Sequence, residues 1–123
     1  MVYNADMSNN KPLHPIVTIR LYTEEKCFGP GVAELLFRVR EMRSLRSAAM
    51  SMNMAYSKAW KIVKASEDAL GFKLLLSTTG GQHGGGAVLT EEGSALLDAY
   101  REYVADVKAV AQKLFDERFG KQE

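Results

Sequence analysis

The 123-residue chain has a single cysteine, Cys27, so neither a disulfide framework nor a cysteine-based zinc cluster is available, and a reducing compartment fits best. No apolar run approaches the ~18–20 residues that a membrane span requires. Residues 1–10 contain no adjoining basic and apolar blocks of a signal peptide, so a cytoplasmic protein is expected, with no membrane partner. Charge of one sign is also lacking: 16 basic side chains face 15 acidic ones, for a net +1, which taken whole argues mildly against a nucleic-acid partner. No Ser/His/Asp set, paired carboxylates or metal-ligand cluster stands out. No enzyme activity, metal, cofactor or small-molecule ligand is therefore expected. What remains, 46% hydrophobic and 25% charged residues, is the composition of one ordinary folded domain.

The balanced total hides a segregated chain. Between Arg38 and Lys73 lie eight basic residues (Arg38, Arg40, Arg43, Arg46, Lys58, Lys61, Lys64, Lys73) and three acidic ones (Glu41, Glu67, Asp68), a local +5. Leu74 to Thr90 carries no formal charge, and Glu91 to Glu123 carries −3, with five basic and eight acidic residues. A basic middle of this kind suits a polyanion partner, and it equally suits a solvated helix surface.

Residues 1–14 read as a frayed terminus that includes an exposed His14. The β-branched run Ile16–Tyr22 predicts a strand. Pro30, within Gly29-Pro30-Gly31, is placed to open a helix running to Met42. Cys27, just before that break, reads as buried. Ser44 can cap a short helix over Leu45–Met52, and Asn53 suits a tight left-handed turn. A third helix is predicted from Ala55 to Leu70, stopped by Gly71. The segments Phe72–Thr78 and Ala87–Leu89 predict a hairpin. Its tip, Thr79–Gly86, has five glycines in eight positions. Thr90 caps a last helix of roughly 29 residues, ~43 Å long at 1.5 Å per residue. Its stripe Leu97, Tyr100, Val104, Val107, Ala111, Leu114 is either a dimer seam or a face folded back on its own domain.

This order is that of an α/β, mostly α, winged helix-turn-helix: 15–90 as the DNA-binding domain, 91–123 as a C-terminal dimerisation helix. On the third helix Ala59, Ile62, Val63 and Trp60 are expected to pack inward, with Trp60 anchoring the core. Tyr56, Ser57, Lys58 and Lys61 then lie at the exposed leading end, offering donors to base edges or phosphates. Arg46 and Ser47 on the preceding helix are placed for DNA-backbone contact. Gly80, Gly81, His83 and Gly84 at the hairpin tip let backbone N–H groups approach a phosphate closely. A nucleotide-cradling loop would need a lysine followed by serine or threonine at a helix start, and Gly84-Gly85-Gly86-Ala87-Val88 supplies neither.

Met54-Ala55-Tyr56-Ser57-Lys58-Ala59-Trp60, Gly71-Phe72, the glycine-rich wing and Leu89-Thr90-Glu91-Glu92-Gly93 together resemble the DNA-binding domain of ModE-type molybdate-responsive regulators. That domain is similar to the winged helix-turn-helix of LysR-type factors. The resemblance covers about Ile16 to Tyr103. It implies a homodimeric transcriptional regulator with double-stranded DNA as partner and a recognition helix around Tyr56–Lys61. Three departures qualify it. The family's molybdate-binding domain is not found before Glu123, so oxyanion sensing does not carry over. Ser77, Gln82 and His83 stand where the wing commonly holds basic residues, and Ala55 stands where a serine is frequent. The uncharged wing leaves a second expectation open, a protein-interaction module that has lost DNA affinity.

Overall fold

The computed structural model describes residues 11–78 and 86–121. Its elements are β1 (Leu21–Tyr22), β2 (Lys26–Phe28), α1 (Pro30–Met42), α2 (Leu45–Ser51), α3 (Tyr56–Leu70), β3 (Leu75–Thr78), β4 (Gly86–Leu89) and α4 (Glu91–Phe119). Two antiparallel pairs, β1–β2 and β3–β4, make up the sheet content. This is the winged helix-turn-helix order, with a long final helix. Two compact units are distinguished, a larger one from Ile19 to Arg101 and a smaller one from residues up to Thr18 and from Glu102 onward.

Each helix starts and stops where local chemistry dictates. Pro30 sits in the first turn of α1, where its missing N–H costs nothing. Ser44 accepts from the Ser47 backbone N–H at 3.0 Å and so caps α2. Gly71, with φ 86°, ends α3, its N–H given to the Glu67 carbonyl. Thr90 caps α4 through the Gly93 N–H at 2.8 Å. Asn53 takes the left-handed conformation expected of it, φ 54°, between α2 and α3. Arg43 does the same at φ 58°, an unfavourable place for a long side chain that the surrounding bonds must hold.

The predicted strand over Ile16–Tyr22 shrinks to β1. β2 is only three residues long, so a longer β1 has no ladder to join, and β-branching does not make a strand without a partner. Ile16 is 82% exposed.

Within the larger unit the core is formed by Phe28, Leu35, Leu36, Val39, Leu74 and Leu97. Cys27 is buried, as expected. Phe28 meets Tyr100 edge to face at 5.1 Å, and the Tyr100 hydroxyl donates to the Ile19 carbonyl at 2.7 Å. Burial pushes the Tyr100 phenol above its ordinary pKa, with Arg20 pulling weakly the other way. The frame also fixes the hairpin. The Ala87 N–H donates to the Arg43 carbonyl at 3.1 Å and Gly86 bridges to Ser44, so the root of the wing is bonded to the α1–α2 corner. Gly93 is required there, because a Cβ would lie 2.6 Å from the Leu74 carbonyl oxygen.

Candidate nucleic-acid interface

The back of α3 is held by Ala59, Val63, Ser66 and Glu67, all buried. Glu67 is a feature that composition hides, since a carboxylate in a basic segment reads as a surface residue. Its Oε2 accepts the backbone N–H groups of Leu74 at 2.8 Å and Leu75 at 3.2 Å, and its Oε1 lies 3.7 Å from the Lys73 ammonium. Two donors at the start of β3 are satisfied by one side chain of α3, which couples hairpin to helix. No sequence period reports this. The usable clue is that Glu67 shares the helical face of Val63 and Ser66.

With its back fixed, α3 turns its first turns outward. Tyr56, Ser57, Lys58 and Lys61 are all exposed, and so are Arg46 and Ser47 on α2. The Arg46 guanidinium lies over the Tyr56 ring, 4.3 Å from its centroid. This contact brings together two residues ten apart in sequence and joins the leading ends of α2 and α3. Lys64 pairs with Asp68 at 3.6 Å and Lys73 with Glu67. Among the described residues Lys58 and Lys61 have no ion-pair partner, so their ammonium groups are available to an anion. The first turn of α3 carries no acidic residue, and Ala55 makes no side-chain cap, leaving the positive end of the helix unopposed. Gly80, Gly81, His83 and Gly84 lie outside the described residues.

Trp60 departs from expectation. It is 51% exposed rather than packed in the core. At 100° per residue it stands roughly 100° round the helix from Ala59, on the flank toward the hairpin, while Ala59 and Val63 fill the inward positions. Glu67, seven residues on and so on the same flank, is buried against the Leu74 and Leu75 N–H groups, whereas Trp60, nearer the start of the helix, borders the open groove.

Farther along, α4 leaves Tyr103, Val110 and Leu114 exposed beside half-buried Val107 and Ala111, an apolar strip in which Tyr103, Val107, Val110 and Leu114 step by four, three and four as in a heptad. Among the described residues no group of three or more His, Cys, Asp or Glu is placed to hold a metal ion, and no helix is long and apolar enough to cross a membrane.

Comparison with known proteins agrees with this architecture. A model of bacterial regulatory helix-turn-helix proteins of the lysR family matches residues 33–94. A molybdenum-pterin-binding protein, MopB, of Rhodobacter capsulatus is 36% identical over 73 residues, 59% of this chain and 27% of that protein. The DNA-binding transcriptional dual regulator ModE of Escherichia coli K12 is 30% identical over 101 residues, 81% of this chain and 37% of its own. The transcriptional regulator ModE of Haemophilus influenzae is 31% identical over 85 residues, 69% of this chain and 33% of its own. The matched region thus spans 27–37% of the length of these relatives.

Proposed function

This chain belongs to the lysR family of bacterial regulatory helix-turn-helix proteins, and from that premise we propose that it is a homodimeric, sequence-specific DNA-binding regulator of transcription, working in the cytoplasm beside the chromosome. The observation that carries the reading is the exposed Lys58 and Lys61, unpaired among the described residues, on the leading turns of a helix whose opposite face is buried. α3 enters the major groove, where Ser57, Lys58 and Lys61 meet base edges or flanking phosphates. Tyr56 and Arg46 act as a stacked pair at the groove edge, and Ser47 serves the DNA backbone. The hairpin tip, with Gly80, Gly81, His83 and Gly84, lies against the neighbouring backbone. Because that tip is formally uncharged, α3 supplies most of the affinity.

The apolar strip on α4 favours a second copy of the chain as partner, since a monomer gains nothing from exposing Tyr103, Val110 and Leu114 in a line. Two-fold symmetry then asks for a pseudo-palindromic site, with half-sites about 34 Å apart or a multiple of that. The relatives named as ModE regulators favour this reading over a module that binds only protein.

The test is fluorescence anisotropy with labelled genomic fragments at two salt concentrations, together with the mass of the free protein in solution. Retardation or anisotropy gain that falls steeply with salt, on a protein of dimeric mass, is expected. A folded dimer that binds no fragment at low salt would sink the DNA-binding reading. A monomeric mass would sink the dimer.

A further inference from the structure

Beside α3 lies a groove of about 200 Å³, lined by Tyr56, Trp60 and Lys64 from the helix and by Lys73, Leu76 and Ala87 from the hairpin side. Three features of it remain unexplained by the fold. Half of the Trp60 side chain faces solvent, on the very helix that presents the DNA-contacting residues. The indole N–H has no hydrogen-bond partner among the described residues. No acidic side chain is exposed in its lining: the one carboxylate, Glu67, is buried and held by the Leu74 and Leu75 N–H groups and the Lys73 ammonium.

Geometry says what such a flank would meet. A helix with its side chains is about 10–12 Å across and the major groove about 12 Å wide, so a recognition helix fills the groove from wall to wall. Residues at the outward pole face the groove floor, and residues roughly a quarter-turn away face the walls, which are sugar and phosphate. Lys61 is close to the outward pole, and Trp60, one residue and thus roughly 100° away, is on the wall side next to the hairpin. There an indole finds a deoxyribose face for its ring and a phosphate oxygen for its N–H, with no exposed carboxylate in the groove lining to repel the phosphate.

We propose that Trp60 is a DNA-backbone contact, its ring seated against a deoxyribose at the groove wall and its indole N–H donated to a phosphate oxygen. The proposal rests on the DNA-binding reading above and adds to it a residue that anchors the helix without reading sequence.

Trp60 is the single tryptophan of the chain, so its emission reports this site alone. The experiment uses the whole protein with two duplexes, a labelled genomic fragment to which it binds and an unrelated sequence of equal length. Binding is followed by anisotropy of the label, and Trp60 by emission and acrylamide quenching. On saturation with either duplex the quenching constant is expected to fall severalfold. Trp60→Phe keeps a ring and loses the N–H, and it should weaken both duplexes alike by about tenfold. The salt slope should stay unchanged, because no cation is removed. Trp60→Ala, checked for native circular dichroism, should weaken both further. Anisotropy that shows binding while Trp60 remains as accessible as in the free protein would overturn the proposal, and so would wild-type affinity in Trp60→Phe. A loss confined to one sequence would overturn the phosphate assignment. Failure of any duplex to bind would instead strike the DNA-binding reading itself.

Discussion

The α2–α3 surface and the far stretch of α4 both leave side chains in solvent, but their chemistry is opposite. At the leading ends of α2 and α3 the exposed set includes Arg46, Ser47, Ser57, Lys58 and Lys61, donors and cations beside the exposed rings of Tyr56 and Trp60. On α4 beyond Glu102 the exposed large apolar residues are Tyr103, Val110 and Leu114, in line along one side of the helix. A helix presenting unpaired ammonium groups is suited to a polyanion, which replaces its lost hydration with charge-assisted bonds. A helix presenting an apolar heptad strip is suited to another helix, which removes that strip from water. Exposure alone is no functional signal. Which atoms are exposed, and what rigid packing lies behind them, makes the two regions different.

The comparison can be broken at either end. The largest effect is expected from Lys58→Ala with Lys61→Ala. Duplex affinity at low salt should fall about a hundredfold or more, and the logarithmic salt slope should flatten by about two, with dimeric mass unchanged. Sedimentation and anisotropy check the two halves of this statement, and a double variant that binds as the wild type would remove the basic face from the interface. Next in size is Val110→Asp, which places a charge in the centre of the apolar strip. Self-association should weaken by about thirtyfold, read by concentration-dependent mass, while the isolated fold keeps its melting behaviour. If dimer mass persists at low micromolar protein, the strip is not the seam.

The smallest effect sharpens the boundary between frame and face. Glu67→Gln keeps a side-chain acceptor for the Leu74 or Leu75 N–H but loses the charge that strengthens both bonds. Stability should drop by about 1 kcal/mol in urea unfolding. The Lys73 contribution is small because that ammonium is mostly exposed. DNA affinity measured well below the unfolding midpoint should change little, since Glu67 works behind the surface. A large loss of affinity without loss of stability would instead place Glu67 in the interface.

Much of the helical framework was legible without coordinates. Ser44, Gly71 and Thr90 as caps, Pro30 as an opener and Asn53 as a turn each act through bonds within a few residues, so a local reading suffices. The exposed donors of α3 were also legible, because Ala59 and Val63 mark the buried side and the rest of the wheel follows. The β-branched run Ile16–Tyr22 forms a strand only at Leu21–Tyr22, since pairing needs a partner that local sequence does not show. Trp60 is apolar and shares a flank with buried Glu67, so only the hairpin packed across that flank shows that its end is open.

The stripe on α4 illustrates the division most clearly. Its spacing is continuous from Leu97 to Leu114, yet Leu97 and Tyr100 are buried and Leu114 is not.

By itself the sequence determined the order of the helices, their ends and the segregation of charge along the chain. Those properties depend on backbone geometry and on neighbours within one or two turns. Only the tertiary structure decided that Glu67 is buried under the hairpin, that Trp60 faces a groove, that Arg46 stacks on Tyr56, and where along α4 the core gives way to solvent. Each of these depends on what lies across space from a residue, which periodicity along one element does not encode.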